Sequence, residues 1–185
     1  MRYTLVTSTF APGQANAAAS AAASGENAGL EGYWQTEIGV LNQTVELWSG
    51  PRPAPGGEGP LDQESWTLTG IVGPNAPDAP GGIYELRHYR MRPGLLPAWL
   101  AIYTAALPER EKISRIVGLF ASEPGEPDRV VHIWGYPDLN TRAAARAAAL
   151  RDPAWTAFLR ESRAQRMVAR QEVSILLPAG HSPLK

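Results

Sequence analysis

The chain says one thing twice, and that repeat constrains its architecture more than any other feature. Gly32-Tyr33-Trp34-Gln35-Thr36-Glu37-Ile38-Gly39 aligns without a gap on Gly118-Leu119-Phe120-Ala121-Ser122-Glu123-Pro124-Gly125. Beyond it Asn42 meets Asp128, Val45 meets Val131, Leu47 meets Ile133 and Trp48 meets Trp134, all at one offset of 86 residues (Gly32 to Gly118). Tyr3-Thr4-Leu5 with Pro12-Gly13 matches Tyr84-Glu85-Leu86 with Pro93-Gly94 at an offset of 81 (Tyr3 to Tyr84). An ordered recurrence of this kind marks a duplicated unit. The change of offset falls between the two blocks, where a helix or loop absorbs an insertion most easily.

Two units in 185 residues are each close to the size at which a hydrophobic core becomes marginal alone, so docking of the halves is expected. The sequence divides into a first unit (1–73), a linker (74–82), a second unit (83–178) and a tail (179–185). The second unit is the fuller copy. Ile83–Met91 reads as a strand, and Arg92-Pro93-Gly94 breaks it. A helix follows from Leu95 to Pro108, with Leu96, Trp99, Leu100, Tyr103 and Leu107 as its apolar stripe. Strands Lys112–Glu123 and Arg129–Tyr136 flank the turn residues Pro124–Asp128. Asn140 is placed to cap a helix through Arg151, and Asp152-Pro153 to start another as N-cap and first-turn proline. Gln171–Leu177 closes the unit.

This β-α-β-β-α-β order is the ferredoxin-like split. The first unit offers strands Arg2–Phe10, Leu30–Glu37, Thr44–Ser49 and Glu64–Val72. Its one helix, Gln14–Ser24, is almost only Ala, Ser and Asn, which carries propensity without bulk. A Pro/Gly-rich loop, Gly50–Gly59, stands where the second helix would be. The fold class expected is α+β: two tandem ferredoxin-like units, the first eroded, each with an antiparallel sheet.

Composition removes several function classes. Eighteen acidic and 17 basic residues give a net charge of −1, which supplies no electrostatic footprint for nucleic acid or an anionic membrane. The absence of cysteine removes disulfides, thiolate nucleophiles and Cys-ligated metals. No apolar run approaches the roughly 18 residues of a membrane span. The Ala-rich stretch is preceded by a mixed polar segment rather than the apolar core of a signal peptide. A soluble cytoplasmic protein is the expectation.

The second unit resembles the NIPSNAP family of the dimeric α/β-barrel superfamily. The likeness is carried by Tyr84-Glu85-Leu86-Arg87 with Tyr89 and Pro93-Gly94, by Val117-Gly118 with Glu123-x-Gly125, and by Val131-His132-Ile133-Trp134-x-Tyr136. Asp152-Pro153-x-Trp155 and Ile175-Leu176-Leu177 complete it. The resemblance implies a β-barrel built from two ferredoxin-like sheets, supplied here by one chain. The wider superfamily includes cofactor-free monooxygenases, haem-binding enzymes and small-molecule isomerases, so the likeness speaks to fold before activity. The first unit departs from the pattern, with Val6 in place of Arg87, Ser8 of Tyr89 and Glu46 of His132.

Strand alternation sorts the candidate site. Glu85, Arg87 and Tyr89 share one face of their strand, and His132, Trp134 and Tyr136 one face of theirs. With Val131 and Ile133 assigned to the helices, these six are expected to face the barrel interior, where Glu46 and Trp48 join them from the first unit. His132 is then a candidate general acid/base or ligand, and Glu46, its repeat equivalent, a carboxylate that a pseudo-two-fold axis could bring toward it. Arg87 with Glu85 could clamp an anionic ligand or form a structural ion pair. Trp34, Trp48 and Trp134 could cage a flat ligand or simply fill a core. His88 is expected toward the helix layer or solvent, and His181 needs no role.

No phosphate loop, nucleophile elbow or metal-spaced cluster is present, so no cofactor and no metal are expected. The functional expectation is binding of a small aromatic or hydrophobic ligand in the barrel, with cofactor-free oxygenase or isomerase chemistry as its catalytic form. The alternative is a non-catalytic homodimer that covers the thinly protected first sheet.

Overall fold

In the computed structural model, which describes residues 1–25, 27–53, 59–78, 80, 82–124 and 126–185, the strand pattern expected from the sequence is realised. The elements run β1 (Arg2–Thr9), α1 (Ala15–Ala23), β2 (Leu30–Ile38), β3 (Gln43–Ser49), β4 (Asp62–Val72) and β5 (Ile83–Met91). They continue with α2 (Leu96–Glu111), β6 (Ile116–Ser122), β7 (Arg129–Tyr136), α3 (Leu139–Ala149), α4 (Pro153–Ala164) and β8 (Val168–Pro178). Parts of three expected segments lie outside the described residues: 54–58 of the Pro/Gly-rich loop, Gly125 of the β6–β7 turn, and 79 and 81 of the linker.

All strand pairings are antiparallel and close into one barrel, in the order β1-β3-β2-β8-β5-β7-β6-β4. Within it the first half contributes β4-β1-β3-β2 and the second β8-β5-β7-β6, the same order twice. The seams are β2–β8 and β4–β6, so each half pairs its own edges with the edges of the other. Closure of this kind leaves no strand edge for another chain to extend.

The correspondence between halves reaches individual hydrogen bonds. Gly13 and Gly94 take the left-handed backbone at φ 81° and 78°, a conformation that favours glycine after a proline turn. Gly13 donates its N–H to Asn42 Oδ1 at 3.2 Å and Gly94 to Asp128 Oδ2 at 2.7 Å. The carbonyls of Asn42 and Asp128 accept from Phe10 N and Met91 N at 2.9 and 2.8 Å. Asn42 and Asp128 therefore pin the exit of β1 and β5 as well as their own turns.

Helix ends follow local chemistry with two revisions. Asp152 caps α4 as expected, accepting Trp155 N–H at 2.7 Å, but Asp138 rather than Asn140 caps α3, accepting Thr141 N–H at 2.7 Å. Asp138 has the extended backbone an N-cap needs, whereas Asn140 lies inside the first turn. Helix α2 also runs past Pro108 to Glu111, because a proline there removes one backbone bond while Tyr103, Leu107 and Arg110 remain packed on the sheet.

The sheet has two buried faces, and the structure reverses the assignment made from alternation. Tyr3, Leu5, Trp34, Leu47, Tyr84, Leu86, Phe120, Val131, Ile133 and Leu176 fill the lumen as one apolar cluster. Trp34 packs at a tilt on Tyr84, ring centroids 5.3 Å apart, and Tyr3 packs edge to face on Phe120 at 5.1 Å. Glu85, Arg87, Tyr89, His132, Trp134 and Tyr136 point outward instead, under α2, α3 and α4. The physical reason is charge: the apolar middle of the lumen offers ionisable groups little to pair with, while the helix layer supplies Arg142, Arg146 and an opening. His88 goes the other way from expectation, into the lumen, where its ring lies on Trp66 at 4.3 Å.

The first sheet is covered within the chain. Ala19 and Ala22 of α1 sit on Leu30, Tyr33 and Trp48. The tail docks on β2: Ser182 Oγ accepts Tyr33 N–H at 2.9 Å and donates to the Leu184 carbonyl at 2.7 Å, while His181 packs on the Tyr33 ring at 4.6 Å.

Candidate functional site

Antiparallel register between β5 and β7 sets Glu85 opposite Trp134 and Arg87 opposite His132. Because side chains alternate along each strand, all four leave the same face. The helices that cover this face carry bulk: Trp99 and Tyr103 on α2, Trp155 and Phe158 on α4. Their rings pack edge to face and stacked, Trp99 on Tyr103 at 4.5 Å and Tyr103 against Phe158 at 5.3 Å. Large rings hold the helices off the sheet and leave a cavity of about 340 Å³, within the range of small-molecule sites. Its walls include Glu85, Arg87, Tyr89, Trp99, Tyr103, Arg110, His132, Trp134, Arg146, Trp155, Phe158 and Arg163, with Leu150 and Gln171 also lining it.

His132 is fully enclosed in this wall. Its Nδ1 receives the Trp134 indole N–H at 2.9 Å and lies 3.2 Å from the Tyr103 hydroxyl. An indole nitrogen can only donate, so Nδ1 carries no proton and the neutral ring holds its hydrogen on Nε2. Burial drives the imidazole well below its ordinary value, and the charges of Arg87, Arg110 and Arg146 add to the effect. Burial likewise keeps the Tyr103 phenol protonated, well above the usual tyrosine range, so its hydroxyl is a second donor to Nδ1. The remaining nitrogen, Nε2, is buried with no partner among the described residues. The site thus presents one N–H donor on an aromatic wall, fixed in tautomer by its neighbours.

Beside it lies an arginine cluster around a single carboxylate. Glu85 Oε1 accepts from Arg142 at 2.8 Å, Arg87 at 2.9 Å and Arg146 at 3.0 Å. Burial alone would raise the Glu85 carboxyl, but the Arg142 hydrogen bond and the three positive charges hold it below the usual range. Arg87 also donates from Nε to the Tyr89 hydroxyl at 2.7 Å. Arg110 projects from the last turn of α2 over the Trp134 ring, 4.3 Å from its centroid.

Five of the residues expected from the sequence meet here: His132, Arg87, Glu85, Tyr89 and Trp134. Tyr136 stands just behind them and accepts from Arg110 at 3.3 Å. The other three do not join. Trp34 is in the lumen, while Glu46 and Trp48 lie under α1 on the far side of the barrel. There Glu46 accepts two bonds from Arg52 at 2.7 Å and one from the Trp48 indole at 2.8 Å, so it never approaches His132. Residues equivalent by the repeat sit on opposite outer faces, not face to face.

Arg110, Arg146, Trp99 and Trp155 were not expected in the site. Arg110 had a legible signal: it continues the Trp99–Tyr103–Leu107 stripe into the core, where an unmatched charge is unusual. Among the described residues no group of three or more His, Cys, Asp or Glu is placed to hold a metal ion, and no helix is long and apolar enough to cross a membrane.

Known proteins are similar to this chain in sequence and in fold. The protein is 32% identical over 154 residues to the NipSnap homolog of Dictyostelium discoideum, covering 71% of this chain and 68% of that one. NipSnap homolog 2 of Danio rerio is 30% identical over 180 residues, and the match spans 62% of its length. A NIPSNAP family protein with unknown function from Agrobacterium tumefaciens is 37% identical over 56% of this chain and 93% of its own, with a TM-score of 0.50. A putative monooxygenase from Fusobacterium nucleatum overlays 96% of this chain and 92% of its own at a TM-score of 0.67 but 10% identity, a likeness of fold alone. The NIPSNAP family profile matches residues 84–183, which include every residue lining the cavity, and on that match and these relatives the chain belongs to the NIPSNAP family.

Proposed function

We propose that this NIPSNAP protein binds a small molecule with an aromatic or flat apolar body in the cavity between β5, β7 and helices α2 to α4. The observation that carries the proposal is the cavity itself, walled by Trp99, Tyr103, Trp155 and Phe158 and lined by His132, whose buried Nε2–H has no partner among the described residues. A buried donor left unmade costs about 1–3 kcal/mol, a cost that a ligand oxygen would remove. The aromatic wall would supply stacking and the imidazole would supply orientation.

The chemistry available favours holding a ligand oxygen over taking a proton from one. His132 carries its proton on Nε2, the ring nitrogen without a partner among the described residues, and Glu85, the carboxylate on this wall, already accepts from three arginines. Oxygenase or isomerase chemistry here would act on a substrate that arrives ionised, with His132 and Arg87 steadying its oxygen. Native mass spectrometry of the purified protein beside His132→Ala is the test. A co-purifying small molecule on the wild type and not on the variant is expected; a bare chain in both would overturn the reading.

A second reading, self-association, is favoured by one surface. Ile38, Val40 and Leu41 at the β2–β3 turn are 52%, 52% and 73% exposed, beside Leu177 and Val173 of β8. A second copy would cover them. Sedimentation over a hundredfold concentration range decides it: a concentration-independent monomer would exclude the dimer.

A further inference from the structure

The cavity wall carries more positive charge than its own residues neutralise. Among the described residues Arg87, Arg110, Arg146 and Arg163 line it against one carboxylate, Glu85. That carboxylate is shared among Arg87, Arg146 and Arg142, so its single negative charge already faces three positive ones. Arg110 is the informative member. It is 4% exposed, and among the described residues no carboxylate lies within salt-bridge reach of it. Its partners are neutral: Ser114 Oγ at 2.6 Å, the Tyr136 hydroxyl at 3.3 Å, and the faces of Trp134 and Trp155 at 4.3 and 5.7 Å.

Two other features soften the cost of burying that guanidinium. The C-terminal end of α2 offers partial negative charge, and the two indoles offer their π faces. Neither amounts to a counter-ion, and buried charges are normally paired. Surface arginines can find their anion in solvent; Arg110 cannot, except through the cavity it lines. His132 also lines the cavity, and among the described residues no free carboxylate lines it that would repel an anion.

Resting on the reading of this cavity as a ligand site, we infer that its ligand is a small aromatic carboxylate, whose charge completes Arg110 and whose ring lies among Trp99, Trp134 and Trp155. A carboxylate matches the planar guanidinium in shape and charge. A neutral aromatic of the same size would fill the volume and leave the charge unmet.

The test compares isosteres that differ only in charge. Benzoate, 2-naphthoate and indole-3-carboxylate are titrated into the protein calorimetrically, each beside its primary amide. At least one acid is expected to bind tenfold or more tightly than its amide, with affinity that weakens as salt rises. In Arg110→Met that preference should fall to within threefold while the amide binds as before; Arg160→Gln, at an exposed arginine of α4 that does not line the cavity, should keep it. Acid and amide binding with equal affinity to the wild type would overturn the carboxylate assignment and leave the ligand site standing. Binding of neither series, with the bare mass spectrum described above, would remove the site itself. If Arg110→Met does not fold, the wild-type acid-to-amide ratio and its salt dependence still decide.

Discussion

Strands β3 and β7 occupy equivalent places in the two halves, and each carries a tryptophan whose indole N–H bonds back to the residue two before it. In the first half Trp48 donates to Glu46 at 2.8 Å, and in the second Trp134 donates to His132 at 2.9 Å. Beyond that shared bond the two faces diverge. Glu46 is closed off by Arg52, and a helix of alanines lies flat on Tyr33 and Trp48. His132 keeps a free nitrogen beneath helices held away by tryptophans and a phenylalanine. The same strand geometry thus gives a finished core on one side and a cavity on the other. What differs is the size of the covering side chains and whether the charge is answered from within the chain.

The largest effect that could break this contrast lies in the covering helices. Trp99→Ala should cost about 3–5 kcal/mol in urea denaturation, since it removes the ring that both props and walls the cavity. A loss under about 1 kcal/mol would mean that α2 is not a prop. Next come Arg52, half-buried, and Arg110, buried, which should behave oppositely. Arg52→Met strands the Glu46 carboxylate and should cost about 3 kcal/mol. Arg110→Met removes an uncompensated charge and should shift the unliganded protein by less than about 1 kcal/mol. Equal losses would erase the distinction between a closed face and an open one.

Acid titration sharpens the contrast further. His132 is held neutral in the folded protein by burial and nearby arginines. His88 is pushed down to about 4, by burial first and then by Arg129 and Arg90 against the pull of Glu172. For a folded-state value depressed below that of the unfolded chain, the unfolded state binds more protons as pH falls. Stability is therefore complete above the ordinary imidazole value near 6.5 and declines below it. The slope is at most about 1.4 kcal/mol per pH unit for each such histidine. His132→Gln should flatten the decline between pH 6.5 and 5; an unchanged slope would mean that His132 is protonated in the folded protein. Glu85, held low, contributes in the same direction only further down, once pH falls through the carboxylate range.

The smallest effect compares the shared bond itself. Trp48→Phe and Trp134→Phe should each cost about 1 kcal/mol through the lost indole donor. Only Trp134→Phe leaves His132 Nδ1 with the Tyr103 hydroxyl alone, which can accept as well as donate and so lets the imidazole change tautomer; only it should weaken binding of the co-purifying molecule or an aromatic carboxylate. If Trp48→Phe weakens binding equally, the two faces are not independent.

Much of the architecture was legible because period-two strands, Pro-Gly turns and the offset repeat are local signals. Tyr84 to Met91, the Asp152-Pro153 helix start and the two matching turns at Asn42 and Asp128 all sit where the residues placed them. The facing of the strands was not legible. On β7 the sequence Val130-Val131-His132-Ile133-Trp134 is apolar on both sides, because both sides are buried, one by the lumen and one by helices. Alternation alone cannot say which is which. The arginines answer the question only in three dimensions, since Glu85 meets Arg142 and Arg146 across more than fifty residues. The expected approach of Glu46 to His132 failed for a related reason: a pseudo-two-fold that builds a barrel sends equivalent outward residues apart.

The central claim is that His132 is a neutral, Nε2-protonated donor open to a ligand while its counterpart Glu46 is sealed. Nitrogen-15 NMR of the histidine side chains, recorded from pH 7.5 to 5 without and with 2-naphthoate, tests it most directly. The account predicts a protonated Nε2 and bare Nδ1 for His132 throughout that range, with the Nε2 signal moving on addition of the acid. A proton on Nδ1, titration near the ordinary imidazole value, or an Nε2 signal that ignores every aromatic acid and amide would contradict it.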